Sequence, residues 1–216
     1  KSKNYVNVII ASKHPRPQWL TKEEAKIHCT KGLSVWDFAS NDNGNPDVVL
    51  ACAGETPTLE VLAAVDILRK SVEDIKIRVV NVVDLMKLQS PDTHPHGMSD
   101  EEYDKIFTKD KPIIFNFHGY PSLIHQLTYK RTNRNLHVHG YKEEGTITTT
   151  FDIRVQNEID RFHLVEAVLK EIPRYKKSSK VLIDWCEAML DRHKKYIAEN
   201  GEDMTFVKNW QWEVKE

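Results

Sequence analysis

Asp47–Lys70 reads DVVLACAGETPTLEVLAAVDILRK, and two rules of chain geometry meet within it. The first part, Asp47–Gly54, is a nearly continuous apolar run closed by glycine. A run with no polar face reads as a strand covered on both sides. The rest, ETPTLEVLAAVDILRK, starts a helix, with Thr56 as the expected N-cap and Pro57 at the first helical position. A strand covered on both faces and followed at once by a helix is the building unit of a parallel sheet with helices on either side.

The neighbouring segments extend this pattern. Upstream, YVNVIIAS (Tyr5–Ser12) is rich in β-branched residues and reads as a strand. HPRPQW follows, where two prolines forbid helix. Thr21 with Glu24 makes a capping box for a short helix, and Leu33–Ser40 reads as a short strand before the NDNGNP turn. Downstream, Ile75–Asp84 is the next strand. Ser99 with Glu102 opens a second boxed helix, Lys111–Gly119 is a strand, SLIHQLTYKR a helix and NLHVHGY a further strand. Phe162, Val165, Leu169 and Ile172 place helical spacing in the later part of a segment that begins near Phe151. The order is β-α-β-β-α-β-α-β-α-β-α. The expected fold is therefore α/β: an open, mostly parallel, doubly wound sheet with helices on both faces, over residues 1–173. Residues 174–216 are expected to add an amphipathic helix, with Leu182, Trp185, Cys186, Met189 and Leu190 on one stripe and Gly201 as its cap, and a tail whose Phe206, Trp210 and Trp212 dock on the same domain.

Composition narrows the function. The 216 residues carry 31 basic and 32 acidic side chains, a net charge of −1 that makes no electrostatic case for nucleic acid or an anionic membrane. No apolar run approaches the roughly 20 residues of a membrane-spanning helix. Cys29, Cys52 and Cys186 lie too far apart for a disulfide framework or a zinc ribbon, so a reducing, cytoplasmic setting is expected. The chain opens KSKNYVNVIIASK, without Met and almost directly in a strand, and is expected to be a piece of a longer protein.

Candidate chemistry is thin. His137 and His139 share one face of a strand and could share a metal, but a third ligand is needed, and plain alternation with Leu136 and Val138 explains them as well. No metal site is expected. Zinc-protease, nucleophile-elbow, dinucleotide and Walker motifs are missing, and no catalytic residue is assigned. The Gly54–Thr58 turn could hold an anion on its backbone N–H groups, yet Pro57 removes a donor and Glu55 repels phosphate. Ala11–Trp19, ASKHPRPQW, is the better candidate. Lys13, His14 and Arg16 follow a strand end, where open α/β sheets meet ligands, and they suit a phosphate group or a domain interface. His118, in FHGYP, could act as a general base, a donor, a helix-start cap or an interdomain hydrogen bond. Glu143 and Glu144 are adjacent in a loop and point apart, so paired acid–base work by them is not expected.

Taken together, NVIIASKHPRPQW, DVVLACAGETPTLEVLAAVDILR, IKIRVVNVVDLMKLQSPDTHPHGMSDEEYDKIFTKDKPIIFNFHGYPSLIHQL, NLHVHGYKEEGTITTTFDIRVQNEIDRFHL and HKKYIAENGEDM resemble the C-terminal domain of phosphoketolases over nearly the whole chain. The DVVLACAG…TLEVLAAVDIL unit is also similar to the C-terminal domain of transketolases. The resemblance implies an aldehyde-lyase that uses thiamine diphosphate and magnesium. Such an enzyme cleaves xylulose 5-phosphate or fructose 6-phosphate with inorganic phosphate to acetyl phosphate and an aldose phosphate. It implies two preceding domains in the same chain that hold the cofactor at a homodimer interface. This chain shows no thiamine-binding G-D-G…N pattern, so no cofactor and no catalysis are expected of it alone. Lys13 also fits the family's SK-H/Q-P motif as a residue reaching a substrate phosphate. His118, Tyr120, Tyr141 and Lys142 then fall at an interdomain or channel edge, with Thr146–Thr150 a mobile interface segment. A second reading makes the domain regulatory or scaffolding, serving dimer contact and the sensing of an anion or nucleotide at Gly54–Thr58.

Overall fold

The computed structural model describes residues 3, 4, 6, 15–142 and 146–213. The expected first strand, Tyr5–Ser12, the candidates Lys13 and His14, and Glu143, Glu144 and Gly145 lie outside the described residues. Five strands, β1 (Leu33–Val35), β2 (Val48–Ala53), β3 (Ile77–Val82), β4 (Ile113–Phe117) and β5 (Leu136–His139), form one sheet in the order β1-β3-β2-β4-β5. β3, β2, β4 and β5 run parallel, and only the edge strand β1 is antiparallel. Every residue of β2, β3 and β4 is buried, as an apolar run with two covered faces requires.

Period-two alternation sorts the strand side chains into two cores. Val48, Leu50, Cys52, Ile77, Val79 and Ile114 point to one face. They meet α2 (Glu55–Ser71), α6 (Arg161–Glu171) and α7 (Lys176–Asn200) there. Val49, Ala51, Val80, Ile113 and Phe115 point to the other, under α3 (Asp100–Phe107) and α4 (Pro121–Thr128). The chain passes from β2 through α2 to β3 on one side, then returns through α3 over β2 to reach β4. A change of direction needs a change of face if every crossover is right-handed.

Two capping boxes stand as read. Thr21 with Glu24 starts α1 (Lys22–Lys31), and Ser99 with Glu102 starts α3. Gly201 ends α7 in the left-handed region at φ 67°. Two expectations are corrected and a third is extended. The strand over Leu33–Ser40 stops at Val35. Beyond it, side chains take over the bonding to β3: Ser40 Oγ accepts from the Val79 N–H, and Asn41 bonds both Ile75 and Ile77. The helical spacing read in the later part of the segment after Phe151 is α6, and a further helix, α5 (Thr150–Gln156), precedes it. They are broken where Glu158 sits at φ 55° and Asp160 caps α6 through the N–H groups of Phe162 and His163. Of the tail aromatics, Trp210 donates to Asp66 at 3.2 Å and Trp212 meets Phe38 edge-on. Phe206 stays 45% exposed, because the short α8 (Thr205–Lys208) turns Val207 inward instead.

One charged cluster ties the α2 face together. Glu60 of α2 is fully buried, and Oε2 accepts from Arg161 N at 3.0 Å and Nε at 2.9 Å. Oε1 accepts from Arg161 Nη2 at 3.1 Å and from Arg154 Nη1. Burial alone would push this carboxyl up, but Arg161 and Arg154 outweigh it and hold Glu60 below the usual carboxylate range. Its stabilisation is present above the ordinary carboxylate pKa and is lost as pH falls through the depressed value. Glu60→Gln leaves two guanidiniums buried without a counter-charge. We expect a loss of roughly 3–5 kcal/mol, read as a shift of the denaturant midpoint at neutral pH, and a shallower fall of stability in acid.

Candidate functional site

The direction of winding reverses between β2 and β4, so their carboxyl ends flank a topological switch point, where open α/β sheets form a ligand crevice. Gly54 closes β2 there with φ 105°, and a Cβ on it would lie 2.6 Å from the Cβ of His118, which follows β4. Only glycine fits both demands. This also corrects the helix start: Gly54, not Thr56, is the N-cap, and α2 begins at Glu55. Pro57 is tolerated within the first turn because N–H groups there need no intrahelical partner.

Side chains converge on this rim from distant parts of the chain. Arg16, from the Pro15–Leu20 loop, donates from Nε to Glu55 Oε1 at 3.1 Å. His118 Nε2 lies 3.0 Å from the Tyr141 hydroxyl, with ring centroids 5.5 Å apart. Tyr141 is placed by its N–H, which donates to Gly119 O at 2.9 Å. The approach is so close that a Cβ on Gly140 would sit 2.4 Å from that carbonyl. Lys142 donates its N–H to Asn157 Oδ1 at 2.9 Å and pairs its ammonium with Glu158. Tyr120, the N-cap of α4, stands half exposed on the same rim. Of the sequence-read candidates, the structure thus gathers Arg16, His118, Tyr120, Tyr141 and Lys142 along one edge. Thr148 donates to Asp152, and Thr149 caps α5 by accepting the Asp152 N–H. This part of the Thr146–Thr150 run, expected to be mobile, is therefore bonded into the helix start.

Electrostatics at the rim are local. Partial desolvation holds the His118 imidazole below its ordinary range, opposed by Glu55 and reinforced by Arg16. Burial likewise lowers His139, whose Nδ1 donates to Glu158 O at 2.8 Å. Burial pulls His163 down, but its bond to Asp160 lifts it above the ordinary value. Hydrogen bonding from Lys142 lowers Glu158. His137 contacts Asn135 and lies 3.4 Å from Glu171, so the two H-x-H rings have separate partners. Glu55 and Glu158, as counter-ions, were not legible as such: their partners lie 39 and 16 residues away, and no local signal marks the pairing. The rim offers hydrogen-bond donors and charge-compensated cations, with no nucleophile–base pair among the described residues. A diphosphate-bound magnesium would need converging carboxylates. Among the described residues no three His, Cys, Asp or Glu side chains are grouped to hold a metal, and Glu55 puts a negative charge in the first turn of α2, where a diphosphate would have to sit against it. These residues do not fit a thiamine diphosphate–magnesium unit.

Fold and rim define a doubly wound α/β domain with a polar rim at its switch point. The family model described as the XFP C-terminal domain matches residues 13–212. A probable phosphoketolase of Chlorobaculum tepidum is 56% identical over 216 residues, covering 99% of this chain and 27% of that protein. Probable phosphoketolase 2 of Rhizobium meliloti is 54% identical over 213 residues, covering 98% of this chain and 27% of that protein. The chain belongs to the XFP C-terminal domain family and is a phosphoketolase C-terminal domain. It spans about a quarter of the length of these relatives. Among solved structures, a transketolase from Leishmania mexicana gives a TM-score of 0.48 at 13% identity, over 69% of this chain and 19% of that one. No helix among the described residues is long and apolar enough to cross a membrane.

Two measurements check the rim. In an NMR pH titration the His118 ring titrates below ~6.5, and Glu55→Gln moves the midpoint further down, because it removes the charge favouring imidazolium while leaving Arg16. Gly54→Ala lowers stability by roughly 1–3 kcal/mol in thermal unfolding, from the left-handed backbone and the His118 clash.

Proposed function

We propose that this domain is the C-terminal part of a full-length, cytoplasmic, homodimeric phosphoketolase. That enzyme would cleave xylulose 5-phosphate or fructose 6-phosphate with inorganic phosphate to acetyl phosphate and an aldose phosphate. The observation that carries this reading is identity of 54–56% to phosphoketolases over essentially the whole chain, at 27% of their length. Thiamine diphosphate and magnesium belong to the other domains of the same chain, in keeping with the poor fit of the residues here. When bound, the thiamine cofactor supplies the carbanion stabilisation such a cleavage needs.

The rim at the β2–β4 switch point is the edge this domain turns toward those domains and the sugar-phosphate channel. Arg16, His118, Tyr120, Tyr141 and Lys142 are its contacts, and Lys13 and His14 shortly precede Arg16 in the sequence. Residues 1–173 form the α/β layer and 174–216 a helix and tail on it. Leu182, Cys186, Met204 and Val207 joining the α2-side core support that division. Free Cys29, Cys52 and Cys186 support a reducing compartment. The regulatory alternative at Gly54–Thr58 is disfavoured by Glu55, whose negative charge in the first turn of α2 opposes an anion held on that turn's backbone.

Steady-state kinetics of the full-length enzyme test the reading. Lys13→Ala raises KM for the sugar phosphate roughly tenfold or more, the scale of one lost charge-assisted hydrogen bond, with a smaller change in kcat. The isolated 216-residue chain shows no turnover. An unchanged KM for both sugar phosphate and phosphate rejects the role of Lys13, and turnover by the isolated chain rejects the division of labour.

A further inference from the structure

Helix α1 presents no apolar stripe, and of its ten residues only His28 is buried. A helix without an apolar stripe has no hydrophobic means of holding its place on a sheet. Trp19 and Leu20 anchor the loop before it in the core, and Ile27 is 57% exposed. The seating of α1 therefore depends on what His28 touches. Its ring meets the edge of Trp36 with centroids 5.8 Å apart, and both nitrogens are bonded. Nδ1 lies 2.7 Å from Ser34 Oγ, and Nε2 lies 2.8 Å from Asn81 Oδ1.

Those bonds continue through buried side chains to the crevice. Asn81 Nδ2 donates to Thr58 Oγ1 at 2.9 Å, and Thr58 Oγ1 donates to Gly54 O at 2.7 Å. The direction of the protons from Gly54 to His28 Nε2 follows. The Thr58 hydroxyl proton is committed to Gly54, so Thr58 accepts from the Asn81 amide, whose carbonyl then faces His28. Nε2 of His28 must carry a proton, and Nδ1 pairs with the Ser34 hydroxyl. His28, Asn81 and Thr58 are each under 7% exposed. Breaking one link strands a buried polar group without a partner, so the chain acts as one piece.

We infer that His28 is a positioning residue: it pins α1, and with it the Pro15–Leu20 loop that carries Arg16, to the Gly54 turn that carries Glu55. The two halves of the Arg16–Glu55 rim come from segments 39 residues apart, and this chain of hydrogen bonds is the buried polar link between them. The inference rests on the reading of that rim as the sugar-phosphate edge of a phosphoketolase.

The test uses the full-length enzyme with two readouts, hydrogen–deuterium exchange and steady-state kinetics. His28→Leu keeps the bulk and removes both bonds. Exchange across residues 22–31 rises while Val48–Ala53 and Ile113–Phe117 stay protected. KM for the sugar phosphate rises roughly tenfold, the scale of a small misplacement of binding groups, and kcat changes by less than about twofold. His28→Gln, which keeps a donor toward Asn81, recovers most of the KM and of the protection; a purely volume-filling role would not give that rescue. Unchanged exchange in α1, or an unchanged KM in a folded His28→Leu enzyme, overturns the inference. If the leucine variant does not fold, Ser34→Ala and Thr58→Val each remove one hydroxyl from the chain, and no effect of either on the two readouts overturns it equally. An unsubstituted enzyme that turns over no sugar phosphate refutes the phosphoketolase reading instead, and the exchange measurement still decides whether His28 pins α1.

Discussion

A buried carboxylate between two arginines sets the geometry of this domain. Glu60 stands on the inner face of α2, little more than a turn past Gly54, and it can be charged there only because Arg161 and Arg154 meet it. The Arg161 guanidinium lies 5.5 Å from the centre of the Phe151 ring and 5.3 Å from that of Trp210, so the cluster also draws in α5 and the tail. These contacts place the break between α5 and α6. That break carries Asn157 and Glu158, the residues that hold Lys142 on the rim. The rim thus inherits its shape from an ion cluster on the far side of α2.

Scaffold and rim differ in how firmly their charges are held. Glu60, Arg78 with Asp42, and Arg131, which donates to Leu88 O, Gln89 O and Met98 O, are buried and fully engaged. Removing one partner from such a group is expensive. Arg16–Glu55 and Lys142–Glu158 are partly exposed, and pairs of that kind contribute about 0–1 kcal/mol. They neutralise the rim without locking it. An incoming anion or a neighbouring domain can exchange partners with these cations at little cost while the sheet beneath stays fixed. The near-zero net charge of the chain is repeated, pair by pair, at its edge.

Local patterns were legible where one short stretch contained both members of an interaction. The Thr21–Glu24 and Ser99–Glu102 boxes, the Gly201 cap and the two-faced burial of β2 are of this kind. Misreadings arose where a distant residue decided the outcome. Thr56 has the chemistry of an N-cap, but the approach of His118 imposes a glycine conformation two residues earlier. Leu33–Ser40 has strand composition, but the side chains of Ser40 and Asn41 satisfy β3 in place of a ladder. The spacing from Phe162 marks α6, but the short α5 ahead of the Asp160 cap was not legible as a separate helix.

The sequence by itself determined the class of fold, because apolar runs with period two or none, set between capped helices of period 3.6, admit few other arrangements. It also named most of the rim: Arg16, His118, Tyr120, Tyr141 and Lys142 each follow a strand end or precede a helix. Tertiary structure alone decided which of these meet and with what charge. It paired Arg16 with Glu55, His118 with Tyr141 and Lys142 with Glu158, and it ran a buried chain of hydrogen bonds from His28 to Gly54. The reason is physical: periodicity and capping act within a few residues, whereas a buried polar atom must find its partner wherever the winding of the sheet brings one within 3 Å.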